Sequence, residues 1–556
     1  MAKVMVKKQA EIQIPLKPIY SLLDEAVASR GQSPAMDFLG RQWSYGELGE
    51  LVDKAAAGFR AIGVKRDVRV GLHLPNTPYY IICYFAILKA GGTVVNYNPL
   101  YVERELAQQI KDSDTSIMVT MDLDALYSNL APLLGKGSLQ KLVVCKMTEI
   151  LSPTKSLLFK LFKRKDLARV VHGDRIVGFE KLITMGTVQP PDKIDPKSEI
   201  AVLQYTGGTT GVPKGAVLTH GNITANVEQL RMLVNSTEHR EDRMMCALPF
   251  FHVFGMTVAM LLGMAFKAEL ILLPRFEVDQ VLKTVVRKRP TMFPGVPTIY
   301  IALNRALKAN GGKPKLDSIR YCISGGAPLP LEVQQEFMAL TGCKLVEGYG
   351  LSEASPVVTC NPFDGENREG SIGLPLAGTV VEFRSLDDPR KQVKLGERGE
   401  VCVIGPQVMA VYWRQPEATK DVMIDGALRT GDVGYADPDG YIHIVDRVKD
   451  LIICSGYNVY PRVIEDALYS HPAVAEAVVI GVPDAYRGQS PKAFVKIKDG
   501  ETLTAETLKT YLKTQLSKIE IPHEIEFRAE LPRTLIGKFS KKVLLEEELA
   551  KAGRHA

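Results

Sequence analysis

Several features that would place this chain at once are missing from it. Its eight cysteines (Cys83, Cys145, Cys246, Cys322, Cys343, Cys360, Cys402 and Cys454) are scattered, with no CxxC pair. That spacing argues against a zinc site and against a disulfide framework, and for a reducing compartment. The opening residues, MAKVMVKKQAEIQIPLKP, carry positive charge but no apolar stretch behind it, so no signal peptide is read there. The longest apolar runs, YYIICYFAIL (79–88) and FGMTVAMLLGMAF (254–266), fall short of the ~20 residues a membrane span needs. They read as buried helices. A net charge of +6 on 556 residues is mild, and no dense basic stripe with interleaved aromatics occurs, which excludes a nucleic-acid partner. The expected location is the cytoplasm.

What is present is ordinary globular composition, 46% apolar and 24% charged, on a chain long enough for more than one domain. Short β-branched runs alternate with helical patterns. VRVGLHL (68–74), a helix over 79–90, GTVVN (92–96), a helix near 103–111 and SIMVT (116–120) make one block. The rhythm returns over 199–347, beginning at IAVLQ, with helices from about 220 and near 254–266, 278–288 and 330–340. Strands separated by helices of this length predict parallel sheets covered on both faces, hence an α/β fold with two such subdomains. After about 375 the pattern turns to strands and turns (TVVEFRSL, GEVCVIG, GYIHIV), a β subdomain. From 447 a last unit mixes short strands with helices near 461–470 and 504–517. The predicted division is a large domain over 1–445 and a small mobile α+β domain over 446–556, hinged near Asp446 in the charged connector DRVKD.

Three bare loops follow apolar strands. YTGGTTGVPKG (205–215) offers Thr206, Gly207, Gly208, Thr209, Thr210, Gly211 and Lys214. Glycines let backbone N–H groups curl around phosphate oxygens, hydroxyls add donors, and the lysine adds charge. Alone, a Gly/Thr-rich run is usually a surface loop. This one is not the Walker loop either, because Gly215 stands where that motif needs a Ser or Thr to hold a metal. A metal must then be held elsewhere, and EGYGLSEAS (347–355) supplies Glu353, a hard oxygen ligand, beyond Gly348, Tyr349, Gly350 and Ser352. ISGGAPL (323–329) presents Gly325, Gly326, Ala327 and Pro328, suited to contact with a flat base. Together, at successive strand ends, these loops predict a nucleotide cleft. Further on, LRTGDVG places Asp432 in a turn, suited to ribose hydroxyls, and Arg447 lies on the connector. Lys538 follows a glycine near the C-terminus, where a lysine is ordinarily solvated.

YTGGTTGVPKGAVLTH, EGYGLSE, RTGDVG, DRVKDLIICSGYNVYPRVIE and PRTLIGK stand in the order found in the acyl-adenylate-forming superfamily, which the whole chain resembles. That superfamily includes acyl-CoA synthetases, firefly luciferase and the adenylation domains of nonribosomal peptide synthetases. The phosphate loop and SGYNVYP resemble most the bacterial long-chain fatty acid–CoA ligases. The resemblance implies activation of a fatty acid by ATP and Mg²⁺ to acyl-AMP, then transfer to coenzyme A. It assigns Thr206 to Lys214 to the β- and γ-phosphates, and Glu353 with Thr206 to Mg²⁺. Gly325 to Pro328 and Tyr349 would frame adenine, while Asp432 and Arg447 would take the ribose. Lys538 would offset the repulsion between carboxylate and α-phosphate. A swing about Asp446 would then withdraw Lys538 and present Gly456 beside the path of the thiol. His252, in PFFHVFGM, matches the family's position near the substrate carboxylate; a packed core histidine is the other reading of it. Ser352 stands where many relatives carry Thr, and it keeps the hydroxyl.

The runs 254–266 and 291–303 would supply apolar walls for an acyl chain. Burying sixteen carbons yields roughly 12 kcal/mol gross, before ordering costs, which favours a long chain over acetate. Over 152–169 a Ser152–Pro153 start predicts a helix with Leu157, Leu158, Leu161 and Phe162 on one face. Lys155, Lys160, Lys163, Arg164, Lys165 and Arg169 accompany them against Asp166 alone. Such a helix suits the surface of an anionic membrane, or else simply covers the core. A peripheral position on the inner face of the membrane is thus the alternative to free cytoplasm. Competing functions are an acyl-AMP ligase that loads a carrier protein, a luciferase-like oxygenase, and a nucleotide-hydrolysing switch. No carrier domain follows the last motif, which favours free coenzyme A. No motif fixes chain length or assembly state, and a homodimer stands beside a monomer.

Overall fold

The computed structural model describes residues 12–206, 213–234, 242–455, 457–484, 486–533 and 539–552. Among these residues the strands form four sheets. The seven-stranded sheet runs Ile176–Gly178, Lys141–Cys145, Ile117–Met121, Arg69–Leu72, Thr93–Asn96, Ile200–Thr206, Lys214–Thr219. Every neighbouring pair is parallel except the last, an antiparallel hairpin. Ile117–Met121 and Thr93–Asn96 are buried at every residue, as strands covered on both faces must be. The helix Pro78–Lys89 begins with proline, whose missing N–H costs nothing there, and it is buried all round. It is the expected buried helix of the first long apolar run.

The nine-stranded sheet runs Leu374–Pro375, Val357–Cys360, Lys344–Gly350, Tyr321–Ser324, Met292–Gly295, Arg243–Cys246, Glu269–Leu272, Pro34–Phe38, Arg41–Ser44. Its six central strands are parallel and both edges antiparallel. The predicted mixed α/β class is therefore what the chain adopts. The partition between its sheets differs from expectation. IAVLQ, read as opening the second block, instead completes the first sheet beside Thr93–Asn96. The second sheet takes its far edge from the N-terminal hairpin 34–44. Strand pairing across such distances leaves no local signature.

Three helices also differ. The run 254–266 forms a π-helical stretch, Gly255–Leu261, before the α-helical turn Leu262–Ala265. Gly255 sits where a Cβ would come within 2.2 Å of the Pro249 carbonyl oxygen, so the chain enters this stretch through a turn only glycine fits. The helix expected over 504–517 stops at Leu512. The helix expected over 152–169 starts at Pro153 as read but stops at Phe162, and a 3-10 turn, Arg164–Asp166, follows it. A five-stranded sheet holds Val380–Arg384, Gly399–Ile404, Ala427–Ala436, Met423–Ile424 and Ile442–Arg447, the expected β subdomain. The last sheet gathers Tyr457–Val459, Ile452–Cys454, Gly488–Ile497, Val474–Asp484 and Glu524–Phe527, flanked by the helices Pro461–Tyr469, Ala505–Leu512 and Lys541–Ala552. This C-terminal unit has an apolar core of its own, with Ile464, Leu468, Val479, Val495 and Leu508 buried in it. All eight cysteines are buried free thiols.

Candidate active site

The phosphate-type loop closes the hairpin between Ile200–Thr206 and Lys214–Thr219, in which Thr206 and Lys214 are register partners. Gly207, Gly208, Thr209, Thr210 and Gly211 lie outside the described residues. The Thr206 hydroxyl reaches the Lys214 carbonyl oxygen at 3.5 Å, and both side chains are half-buried. A further segment runs beside Lys214–Thr219: the Trp413 N–H donates to the Gly215 carbonyl at 2.7 Å and the Val217 N–H to that of Val411 at 3.1 Å. This places Tyr412 against the loop, its ring centroid 5.2 Å from the Lys214 Nζ. The Tyr412 hydroxyl donates to Glu353 Oε1 at 2.6 Å, and the Met409 N–H donates to the Glu353 carbonyl at 2.7 Å. Tyr412 therefore fixes Glu353 beside the phosphate hairpin. Sequence reasoning did not find it, because it acts across 59 positions of chain.

The strands Tyr321–Ser324 and Lys344–Gly350 are parallel neighbours, so the loops that follow them leave one edge of the sheet together. Gly325, buried, packs where a Cβ would meet the Gly348 carbonyl oxygen at 3.1 Å and the Phe254 ring at 3.2 Å. Gly326 and Ala327 are half-buried and Pro328 is exposed. At Gly350 a Cβ would stand 2.1 Å from the Pro356 carbonyl oxygen, which forces glycine just before Ser352 and Glu353. The Leu329 N–H donates to Glu347 Oε1 at 3.2 Å and ties the two loops together.

Glu347, a buried carboxyl, was not singled out in the sequence. Burial pushes it up to about 7, against the pull of Arg462 from the C-terminal unit and of the Leu329 N–H, while Asp466 adds to the rise. From the usual carboxylate range up to about pH 7 the native state keeps a proton that the unfolded chain has released. Stability is therefore lost as pH rises through that window, by roughly 3 kcal/mol in full. Glu347→Gln keeps an acceptor for the Leu329 N–H and removes the charge. Its melting temperature should gain on that of the wild type between about pH 5 and about pH 8; a difference that stays flat with pH would show that Glu347 is not the titrating group.

Asp432 lies on the strand Ala427–Ala436 and not, as expected, in a turn; its register partner on Ile442–Arg447 is Arg447. The positive-φ Gly431 before it (φ 75°) made that strand look like a turn in the sequence. Arg447 Nε stands 3.1 Å from Asp432 Oδ1, and the Tyr349 hydroxyl donates to Asp432 Oδ2 at 2.5 Å. Burial and the Asp432 charge push the Tyr349 phenol well up, so it stays a donor. Each carboxylate oxygen keeps acceptor capacity beyond these contacts, enough for the two hydroxyls of a ribose. The structure thus brings Tyr349, Asp432 and Arg447 into one cluster.

His252 is half-buried just ahead of the π-helical stretch. Its Nδ1 accepts from the Phe254 N–H at 3.3 Å, which leaves the proton of the neutral ring on Nε2. Behind it runs a buried polar chain missed in the sequence. The Tyr80 hydroxyl donates to Asn96 Oδ1 at 2.6 Å, Asn96 Nδ2 donates to Gln204 Oε1 at 2.9 Å, and Gln204 Nε2 donates to the Phe251 carbonyl at 3.0 Å. It locks the His252 turn to the sheet that carries the phosphate hairpin. Beside the π-helical stretch lies a small apolar pocket of about 30 Å³. Val258, Leu262, Met292, Phe293 and Pro294 line it, from the two runs predicted as acyl walls, together with Ile323, two residues before Gly325.

In the C-terminal unit Gly456 and Lys538 lie outside the described residues. Around Lys538, Arg533 and Phe539 pair as a β-bridge, and the Ser540 N–H donates to the Pro532 carbonyl at 2.8 Å. Asp446 is buried at the end of a strand, where a plain charged surface connector would be exposed. Its Oδ1 accepts from the Arg447 N–H and its Oδ2 from the Arg462 N–H, both at 2.8 Å. It thereby caps the helix Pro461–Tyr469 from across the connector. Burial pushes it up to about 6, with Lys541 the largest opposing pull.

Among the described residues no cluster of three or more His, Cys, Asp or Glu side chains could hold a metal on its own. Glu353 and Thr206 nevertheless fit a cation shared with phosphates, since both offer hard oxygens at the mouth of the hairpin. The model for AMP-binding enzymes matches residues 23–413, and the model for the AMP-binding enzyme C-terminal domain matches residues 463–538. The chain is 40% identical over 549 residues to a long-chain-fatty-acid–CoA ligase of Bacillus subtilis (strain 168), covering 97% of this chain and 96% of that protein. It is 37% identical over 551 residues to the protein of the same description from Escherichia coli O157:H7, with the same coverage of 97% and 96%. Among solved structures, ATP-bound MatB from Rhodopseudomonas palustris superposes with a TM-score of 0.80 at 29% identity, over 96% of this chain and 99% of that one. Fold, cleft and matches converge: the chain belongs to the family of AMP-binding enzymes.

Proposed function

We propose that the protein joins a long-chain fatty acid to AMP at the expense of ATP and passes the acyl group to coenzyme A. The observation that carries this is the segment 347–355, which joins two features: its Glu353 stands with Tyr412 beside the Thr206–Lys214 hairpin, and its Tyr349 shares Asp432 with Arg447. The runs read as acyl walls line a small apolar pocket, which agrees with a fatty substrate. The substrate class of the Bacillus subtilis and Escherichia coli relatives supports the same reading.

In the first step a carboxylate oxygen attacks the α-phosphorus and the bond to pyrophosphate breaks. Lys214 and the hairpin hold the departing phosphates, Asp432 accepts from the ribose hydroxyls, and His252 donates through Nε2 toward the substrate carboxylate. Mg²⁺, held by Glu353 and Thr206, would offset charge on the phosphate oxygens. In the second step the thiolate of coenzyme A attacks the acyl carbonyl carbon and AMP leaves. The small domain from Asp446 onward turns between the two steps, exchanging Lys538 for Gly456. Its separate core, joined to the large domain around Asp446 and Tyr460, supports such a turn. The enzyme works in the cytoplasm.

A panel of acids from acetate to oleate, with ATP and coenzyme A, tests the reading. AMP and pyrophosphate should form only with acid present, fastest with long chains, and thioester should accumulate. Release of ADP, or ATP cleavage that ignores the acid, would sink the proposal. Acid-dependent pyrophosphate exchange without thioester would mean a carrier-loading ligase.

A further inference from the structure

The excursion between the strands Lys141–Cys145 and Ile176–Gly178 is a platform. Its helix, Pro153–Phe162, has no buried residue. Leu157, Leu158, Leu161, Phe162 and Val171 are 59, 51, 66, 77 and 70% exposed, so five of the twenty exposed large apolar residues described fall in one short stretch. The segment is also firmly held. Arg41 donates to the Glu149 and Leu151 carbonyls, the Lys155 ammonium to that of Leu39 at 2.5 Å, and the Ala168 N–H to that of Asp122 at 2.8 Å. A fixed helix that presents leucine and phenylalanine to water has no reason of its own in folding.

We propose that residues 153–171 dock the protein on an anionic lipid bilayer. The charge around the apolar face supplies the occupant. Lys160, Lys163, Arg164, Lys165 and Arg169 accompany it in the same segment, whose one acidic residue, Asp166, pairs with Lys163 at 3.5 Å. The short helix carries the apolar residues, and the turn that follows it carries Lys163, Arg164 and Lys165. Such a segment lies in the headgroup region, its apolar side chains among the acyl chains and its cations on anionic lipid. A second copy of the chain is disfavoured, because a two-fold contact would set like charges against each other. The platform leaves the same edge of the parallel sheet as the phosphate hairpin, about 19 Å away across four strand spacings. Docking therefore turns the strand ends that frame the nucleotide cleft toward the bilayer in which long-chain acids dissolve. That benefit rests on the ligase reading; the docking itself does not.

The test is co-sedimentation of the full chain with vesicles of phosphatidylcholine, with and without phosphatidylglycerol, at low and raised salt. The protein should bind the anionic vesicles, leave the neutral ones, and release with salt. Lys163→Glu with Arg164→Glu and Lys165→Glu should weaken partition by at least about 100-fold, at about fivefold per charge removed. Leu161→Ser with Phe162→Ser should weaken it about 10-fold or more. Both variants change exposed residues and should keep the wild-type circular dichroism and its AMP release with a short, water-soluble acid. Equal binding of wild type to neutral and anionic vesicles, or undiminished binding by the charge variant, would overturn the proposal. So would an apolar-patch variant that converts a dimer to a monomer, since a second copy would then be the occupant. Vesicle binding by a protein that releases AMP with no acid would uphold docking and sink the ligase reading alone.

Discussion

Glu353→Gln should slow acyl-adenylate formation by about 10²–10³-fold while leaving the melting temperature nearly unchanged. Glutamine keeps an acceptor for the Tyr412 hydroxyl, which donates to Glu353 Oε1 at 2.6 Å, so the local geometry survives and only the charge is lost. That charge matters because of the balance around it. Of the residues assigned to the nucleotide, Lys214 and Arg447 carry positive charge and Glu353 and Asp432 negative, and a polyanionic triphosphate must enter among them. The nucleotide's charge must then be met by cations the cleft recruits, and Glu353 is the hard ligand placed to recruit one. The variant should need more Mg²⁺ for half-maximal ATP–pyrophosphate exchange. Tyr412→Phe, which frees the carboxylate without neutralising it, should cost less, about 10-fold. Unchanged exchange and unchanged Mg²⁺ dependence in Glu353→Gln would remove Glu353 from the mechanism.

Lys538→Ala should abolish most adenylation, again by about 10²–10³-fold, yet form thioester from supplied acyl-AMP and coenzyme A at close to the wild-type rate. Two anions, a carboxylate and an α-phosphate, must approach in the first step, and an ammonium group between them lowers that barrier; no such repulsion exists in the second. The residues flanking Lys538, held by the Arg533–Phe539 bridge and the Ser540–Pro532 bond, belong to the unit that also carries Gly456. An equal loss in both half-reactions would mean that Lys538 supports the small domain and does not serve the first step alone.

Much of this was legible before any coordinates. The α/β rhythm shows in sequence because parallel strands covered on both faces must be apolar throughout, as Thr93–Asn96 and Ile117–Met121 are. The candidate residues were legible because phosphate and base contacts need bare backbone, which clusters glycine and threonine into short contiguous motifs. Which strand joins which sheet was not. IAVLQ sits with the first sheet, and the hairpin 34–44 closes the second, through pairings that nothing local encodes. Asp432 looked like a turn residue because a glycine at positive φ interrupts its strand. The π-helical turn beside the apolar pocket was hidden for a similar reason: its apolar run is as compatible with an α-helix, and the close approach of Gly255 to the Pro249 carbonyl is a tertiary fact.

The division follows the range of the forces. By itself the sequence determined the class of fold, the nucleotide loops, the absence of a long apolar span and the basic amphipathic stretch, all written in contiguous residues. Only the tertiary structure decided that Tyr412 anchors Glu353 and that Tyr349 shares Asp432 with Arg447. It alone also showed that Asp446 caps a helix across the connector and that Glu347 is buried against Arg462. Those contacts join residues as far apart in the chain as Glu347 and Arg462, and a hydrogen bond or a buried charge depends on distance in space, which composition and spacing do not carry.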